Sequence, residues 1–266
     1  MNKKALYGIL LALLLPITGY VLLKITTDRA VIMPRHYLPD SVITQTRNGK
    51  EFSDTIWHKI PDFLLTNQLG KQVSWKDMEG KIVVADFFFT HCPTICPFTT
   101  VNMKKLQDAV KSNQQIGNRE ADYVQFLSFS IDPERDSAAQ LKKWQDHYQI
   151  NPQNWWLLTG NKKMIYDLSI NDMKLTAQDG GVGDSNFLHT DLFVLIDKDR
   201  NVRGYYHGLD TTQLSQLSKD LIFLYLEKDP HKKFFLEGKL EFIAIVLIIV
   251  GLGILVLFTM LKKENK

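Results

Sequence analysis

The two cysteines of this 266-residue chain lie in one short phrase, Phe87–Pro97, which reads Phe-Phe-Phe-Thr-His-Cys-Pro-Thr-Ile-Cys-Pro. Three residues separate Cys92 from Cys96, so both sulfurs can converge on one point, either a metal ion or each other. The thiolate is the form of cysteine that binds metals and attacks disulfides. The chain therefore concentrates its soft-ligand and redox chemistry at one place.

Three uses of this pair compete. A structural disulfide would close so short a loop that it would remove little chain entropy. A redox-active dithiol usually has the shorter Cys-x-x-Cys spacing. A metal site needs a further ligand; two thiolates and an imidazole would suit copper, whose monovalent form prefers soft sites of low coordination. Structural zinc prefers four ligands, and the chain has no further cysteines to supply them.

An alternation of strand and helix patterns must position the cysteines. The β-α-β-α-β-β-α order is typical of a thioredoxin-like α/β domain with a central mixed sheet flanked by helices. Cys92 then lies in the turn after a central strand, and Pro97 suits the first turn of a helix, whose free N–H groups and dipole favour a thiolate. The predicted elements are a hairpin of 62–66 and 72–74, strands at 82–89, 123–131, 192–196 and 202–206, and helices at 97–110, 137–148 and 211–226.

His189 is the histidine best placed to complete a metal site. It directly precedes the strand at 192–196, and in a thioredoxin-like sheet that loop lies against the dithiol turn. His91 is the fallback ligand, although adjacent residues on a tight turn often point apart. The other histidines have no recognisable group of ligand residues near them in the sequence. They are expected at the surface or in the tether: His36, His58, His147, His207 and His231.

Both ends of the chain are apolar. Residues 5–23 carry no charge, and we expect an uncleaved N-terminal membrane anchor over residues 1–23 rather than a cleaved signal peptide. Residues 242–261 predict a C-terminal transmembrane helix. The remaining boundaries follow: a tether at 24–60, the thioredoxin-like domain at 61–228, a linker at 229–241 and a tail at 262–266. A net charge of +3 without a basic block argues against nucleic acid as a partner.

Three motifs, in order, resemble the SCO/SenC family of copper metallochaperones, and the resemblance covers roughly residues 60–226. Phe88–Pro97 is similar to the family's F-T-x-C-P-x-x-C-P signature. Ser130–Asp136 resembles its S-x-D-P-x-R-D segment, and His189-Thr190 followed by Leu195–Asp197 resembles its H-[ST]…L-[IV]-D stretch. Arg203–Tyr206 matches the strand that follows.

The resemblance implies that Cys92, Cys96 and His189 bind copper, as Cu(I) or Cu(II). It implies a metallochaperone rather than an enzyme, with no small-molecule substrate, that helps to assemble the binuclear copper centre of cytochrome c oxidase subunit II or a similar copper-receiving protein. The alternative is a thiol-disulfide reductase for the target's cysteines, with Cys92 and Cys96 as its catalytic residues. The location implied is a bacterial inner membrane, with the domain facing the periplasm or cell exterior.

The chain departs from the family pattern at three places. The span at 242–261 is not a usual family feature. His207 stands where members often have an acidic residue, and the segment 174–188 diverges. The Asp132–Asp136 turn permits two roles, one beside the copper site and one in simply starting the next helix, and we expect the second.

Overall fold

A seven-stranded mixed sheet forms the centre of the computed structural model, which describes residues 34–47, 50–112, 123–175 and 190–227. The order of strands across the sheet is β4-β3-β7-β6-β5-β8-β9. Their bounds are β3 Leu64–Asn67, β4 Gln72–Ser74, β5 Ile82–Phe88, β6 Val124–Ser130, β7 Trp155–Thr159, β8 Leu192–Ile196 and β9 Val202–His207. The predicted thioredoxin-like domain with a mixed sheet is confirmed.

The two central strands explain where the dithiol lies. β5 and β6 run parallel, and every residue of both strands is buried. Strands covered on both faces consist of nearly continuous apolar residues, which is the pattern that predicted them. β8 pairs antiparallel with β5 through Ala85 and Val194, so β8 begins at the sheet end where β5 finishes.

In the described part of the chain, four helices connect and cover the strands. They are α1 Cys96–Ser112, α2 Ala138–His147, α3 Lys162–Asp167 and α4 Thr211–Leu226. α2 begins after Ser137, whose side chain accepts a hydrogen bond from the backbone of Gln140 and so caps the helix. It packs against β7 and β3, whereas α4 packs against β9 and β5. A 3₁₀ turn at Trp75–Met78 and a π-helical turn at Leu168–Asp172 complete the described helical structure.

The sequence patterns predict no element between 148 and His189, yet β7 and α3 lie there. A short apolar run such as Trp155–Thr159 does not distinguish a strand from a helix by period. Its place is set from elsewhere in the chain: Gln68 donates to the carbonyl of Trp155 and accepts from the N–H of Leu157. These hydrogen bonds join residues almost ninety positions apart, so the local sequence around β7 does not predict them.

The expected tether at 24–60 contains regular structure. β1 Pro39–Arg47 and β2 Lys50–Trp57 form an antiparallel hairpin in a sheet of their own. In the register of the two strands Arg47 lies opposite Lys50, so two residues connect the strands. Asn-Gly is the residue pair most favoured in such connections. The predicted tether at 24–60 therefore includes a hairpin that the sequence analysis did not foresee, although Asn-Gly between two extended runs is a hairpin signal.

Several predictions lie outside the described residues. These are the anchor at 1–23, the linker at 229–241, the span at 242–261, the tail at 262–266, and His189 itself. Among the residues that the structure describes, no helix combines the length and apolarity needed to cross a bilayer.

Candidate metal centre

The dithiol occupies the turn between β5 and α1. Cys92 lies in the turn, where its N–H donates to the carbonyl of Phe89 at 3.2 Å, and Cys96 is the first residue of α1. The N–H of Cys96 donates to the Cys92 sulfur at 3.4 Å. Neither cysteine is in a disulfide, and both are buried, with 5% and 2% of their surface exposed. The two soft ligands therefore lie close together at the start of α1.

The helix N-terminus acts on the two sulfurs differently. Cys92 receives the helix N–H, which stabilises negative charge on its sulfur. Burial raises the pKa of the Cys96 thiol, and its contacts with Cys92 and the charge of Asp86 raise it further, while the backbone of Phe89 opposes the shift. The expectation that the helix start favours a thiolate is therefore wrong for Cys96, where loss of water outweighs the dipole.

Asp86 is a buried carboxyl group in the middle of β5, paired with Ser128 on β6. Burial raises its pKa to about 7, and hydrogen bonds from Ser128 and its own backbone only partly offset this. Within the described part of the chain, its Oδ1 atom has no hydrogen-bond partner. Sequence reasoning missed this residue, although an aspartate inside an otherwise apolar strand is a visible signal.

The Asp132–Asp136 turn packs under the dithiol turn. Arg135 pairs with Asp132, as expected for a turn that starts a helix. Asp136 instead reaches across to Thr90, accepting hydrogen bonds from its N–H and its hydroxyl. Thr90 was not among the predicted site residues, and nothing local links it to Asp136.

The loop end beside His189 is held against α1. Thr190 is buried, and the backbone carbonyl of Asp191 accepts from the N–H of Gly208 at 2.8 Å. The side chain of Asn102, on α1, donates to the carbonyl of Gly208 at 2.8 Å. Asp191, two residues after His189, is therefore connected through Gly208 to the helix that begins at Cys96.

Three histidines that were expected to have no partner groups lie beside carboxylates. His207 is hydrogen-bonded to Asp191 at 2.8 Å, so it helps to hold the same loop end. His58 lies between two carboxylates, those of Asp40 and Asp172. The Nε2 atom of His36 lies 3.7 Å from Asp197 Oδ2, and its ring stacks on Trp57. His207 is exposed, and His36 and His58 lie within residues 24–60, as expected. Their carboxylate partners were not foreseen, because these come from distant segments of the chain.

The described residues do not supply a third metal ligand. Among them, no three His, Cys, Asp or Glu side chains are arranged to hold a metal ion. The ring of His91 lies beside Thr90 and Asp136, with Nδ1 at 3.1 Å from the Thr90 hydroxyl. In this conformation His91 does not complete a site with Cys92 and Cys96.

The family model of SCO1/SenC matches residues 55–221. The "SCO1 protein homolog" of Bacillus subtilis (strain 168) is 32% identical over 174 residues, which are 65% of this chain and 86% of that protein. A protein of Stutzerimonas stutzeri named "Putative copper-binding protein" is 27% identical over 147 residues, 55% of this chain and 68% of that one. The solved structure of BsSco superposes with a TM-score of 0.54 at 31% identity, covering 66% of this chain and 98% of that chain. BsSco has a disulfide switch and is a member of the Sco family of cytochrome c oxidase assembly proteins.

Proposed function

Because this chain belongs to the SCO1/SenC family, we propose that it is a membrane-anchored copper metallochaperone for cytochrome c oxidase assembly. Copper is its cargo, and Cys92, Cys96 and His189 are its ligands. The single observation that carries the proposal is the buried Cys92 and Cys96 pair at the β5–α1 turn, in a family linked to copper and oxidase assembly. The receiving protein is subunit II of the oxidase or a protein with a similar copper centre.

The donor set fits a soft metal ion. Thiolate and imidazole ligands suit copper, and two sulfurs with one nitrogen leave the coordination number low. The geometry at Asp191 and Gly208 supports His189 as the nitrogen ligand, because it ties the adjoining loop end to the helix that starts at Cys96. Soft sulfur ligands also disfavour hard ions, which prefer oxygen ligands.

The chemistry of the two sulfurs determines how copper is bound and released. Cys96 carries a proton in the empty site because burial raises its pKa, so binding of copper releases that proton. Delivery proceeds by ligand exchange, in which a thiolate of the target adds before a sulfur of this chain leaves. A site of low coordination permits this, because the incoming sulfur has room to bind first.

A second function has one observation in its favour, the disulfide switch of the relative BsSco. As a reductase, the Cys92 thiolate would attack a target disulfide, forming a mixed disulfide and releasing one target thiolate. Cys96 would then lose its proton and attack the Cys92 sulfur, releasing the second. The target gains two electrons, and this chain is left with a Cys92–Cys96 disulfide that an external thiol must reduce.

An anaerobic Cu(I) titration against a competing chelator tests the proposal on the reduced full-length chain in detergent. We expect one copper per chain, with affinity reduced at least a hundredfold in His189→Ala and unchanged in His147→Ala, an exposed histidine on α2. A reduced chain that retains no copper would refute the metal site. If His189→Ala still supports oxidase maturation in cells while Cys92→Ser does not, the reductase function is favoured instead.

A further inference from the structure

A buried carboxylate lies directly under the turn that carries the cysteines. Asp136 has no exposed surface, and both of its oxygens are engaged. Oδ2 accepts from the N–H of Thr90 at 3.1 Å and from the hydroxyl of Ser130 at 2.6 Å, while Oδ1 accepts from the hydroxyl of Thr90 at 2.5 Å. Burying a charge is costly unless such hydrogen bonds compensate it, so this carboxylate strongly restrains the groups that donate to it.

The restraint joins three separate elements at the sheet end. Ser130 is the last residue of β6, Asp136 lies in the turn before α2, and Thr90 lies two residues before Cys92. The bond from the Thr90 N–H fixes backbone, not only a side chain. From the other side, the dithiol turn is held by the start of α1, through the Cys96 N–H on the Cys92 sulfur. The turn is thus fixed at both of its ends.

The same carboxylate also determines how His91 is oriented. The Thr90 hydroxyl has one proton, which it donates to Asp136, so it can only accept from His91 Nδ1 at 3.1 Å. His91 Nδ1 lies 3.8 Å from Asp136 Oδ1. The histidine next to Cys92 is therefore held by Thr90 and Asp136 and is not grouped with the two sulfurs.

We propose that Asp136 is the positioning residue of the dithiol turn: through Thr90 it fixes the backbone that carries Cys92, and it keeps His91 out of the metal site. This inference rests on the proposed copper function for its main readout. It concerns geometry, because the hydrogen bonds of Asp136 go to Thr90 and Ser130, and Asp136 is not proposed as a metal ligand.

The test compares Asp136→Asn with Asp146→Asn in the full-length chain. Asp146 is an exposed carboxylate on α2 that pairs with Lys142, so it is a matched control for loss of charge. We expect Asp136→Asn to lower Cu(I) affinity at least tenfold, as is typical when a group that orients ligands is lost, and to alter the Cu(II)-thiolate absorption band. Asp146→Asn should retain the wild-type affinity and spectrum.

Thr90 supplies a second comparison that does not depend on how well Asp136→Asn folds. Thr90→Val keeps the shape but loses the hydroxyl, and Thr90→Ser restores the hydroxyl. We expect Val to weaken copper binding and Ser to recover it. Wild-type affinity and spectrum in Thr90→Val, or in a folded Asp136→Asn with only a lower melting temperature, would overturn the proposal. So would a tenfold loss of affinity in His91→Ala, which would make His91 a ligand.

A redox measurement separates this proposal from the proposed function. If the wild-type chain binds no copper, the metallochaperone function is refuted. The thiol–disulfide equilibrium with glutathione still measures how well the turn holds the two sulfurs together. In that reaction two thiols lose two electrons and two protons to glutathione disulfide, giving the Cys92–Cys96 disulfide and two glutathione molecules. We expect Asp136→Asn and Thr90→Val to shift this equilibrium at least threefold towards the dithiol, because a looser turn brings the sulfurs together less often. No shift in either variant would refute the positioning role.

Discussion

The two cysteines differ in their electrostatic surroundings although only three residues separate them. Cys92 accepts an N–H from the start of α1. Cys96 lies deeper, and burial together with the charge of Asp86 raises the pKa of its thiol. In ligand exchange or disulfide exchange, the sulfur that is already stabilised as an anion reacts first. These surroundings support the proposal that Cys92 is the attacking sulfur and that Cys96 reacts second.

Asp86 makes stability depend on pH. Its pKa is raised from an ordinary value near 4 to about 7 by burial, so the unfolded chain ionises this group before the folded one does. Its stabilising contribution is complete below about pH 4 and is lost as the pH rises to about 7. Asp86→Asn should therefore be more stable than the wild type at pH 8, by up to about 4 kcal/mol, and the difference should vanish near pH 4.

Urea unfolding of the reduced chain at several pH values checks this. Asp108→Asn, an exposed carboxylate on α1 that pairs with Lys104, is the matched control and should show no such pH-dependent difference. A constant stability difference between Asp86→Asn and wild type from pH 4 to pH 8 would show that Asp86 ionises normally in the folded chain.

At the scale of elements, the β8–β9 hairpin and α1 together define the site. Gly208 follows β9 and is tied both to Asp191, before β8, and to Asn102 on α1. A Cβ atom at Gly208 would lie 2.7 Å from the carbonyl oxygen of Asp191 and 2.8 Å from the ring of Phe193. Such distances are shorter than van der Waals contact, so only glycine fits between these elements.

Gly208→Ala should therefore displace the loop end that follows His189. We expect about a tenfold loss of Cu(I) affinity, and about 1–3 kcal/mol of stability from overpacking. Leu209→Ala, at the exposed neighbouring position, should retain both. Chelator competition and urea unfolding measure the two effects. Unchanged copper affinity in Gly208→Ala would mean that this contact does not position the third ligand.

At the scale of the whole molecule, the two ends of the described domain lie away from the dithiol. The guanidinium of Arg203 donates to the carbonyl of Pro34 at 2.7 Å and pairs with Asp197 after β8. Lys198 Nζ donates to the carbonyl of Tyr225, near the end of α4, at 3.5 Å. Entry and exit thus contact the connection that follows β8, whereas the cysteines lie at the sheet end where β8 begins.

Two membrane spans would place both termini on one side of the bilayer and residues 24–241 on the other. We expect external protease added to spheroplasts to digest the domain while epitope tags at the N- and C-termini stay protected. The tags should become digestible once detergent opens the membrane. A C-terminal tag that is cleaved in intact spheroplasts would contradict the second span.

The local chemistry of the sequence was sufficient for the dithiol and for the elements around it. Only three residues separate Cys92 from Cys96, and the apolar run at 82–89 has the length and composition of a strand buried on both faces. Those features depend on neighbours within one turn or one strand. The Asn-Gly pair is likewise a local signal, in this case for a hairpin, although it lies in the stretch predicted as a tether.

Only the tertiary structure decided which groups surround the dithiol. Thr90 and Asp136 are 46 residues apart, and only the parallel pairing of β5 with β6 brings them together. The environment of Asp86 and the close approach at Gly208 have the same origin, since burial depends on what packs from distant segments. The sequence by itself determined which chemistry is available at the dithiol turn, and the fold determined the charges and restraints under which that chemistry operates.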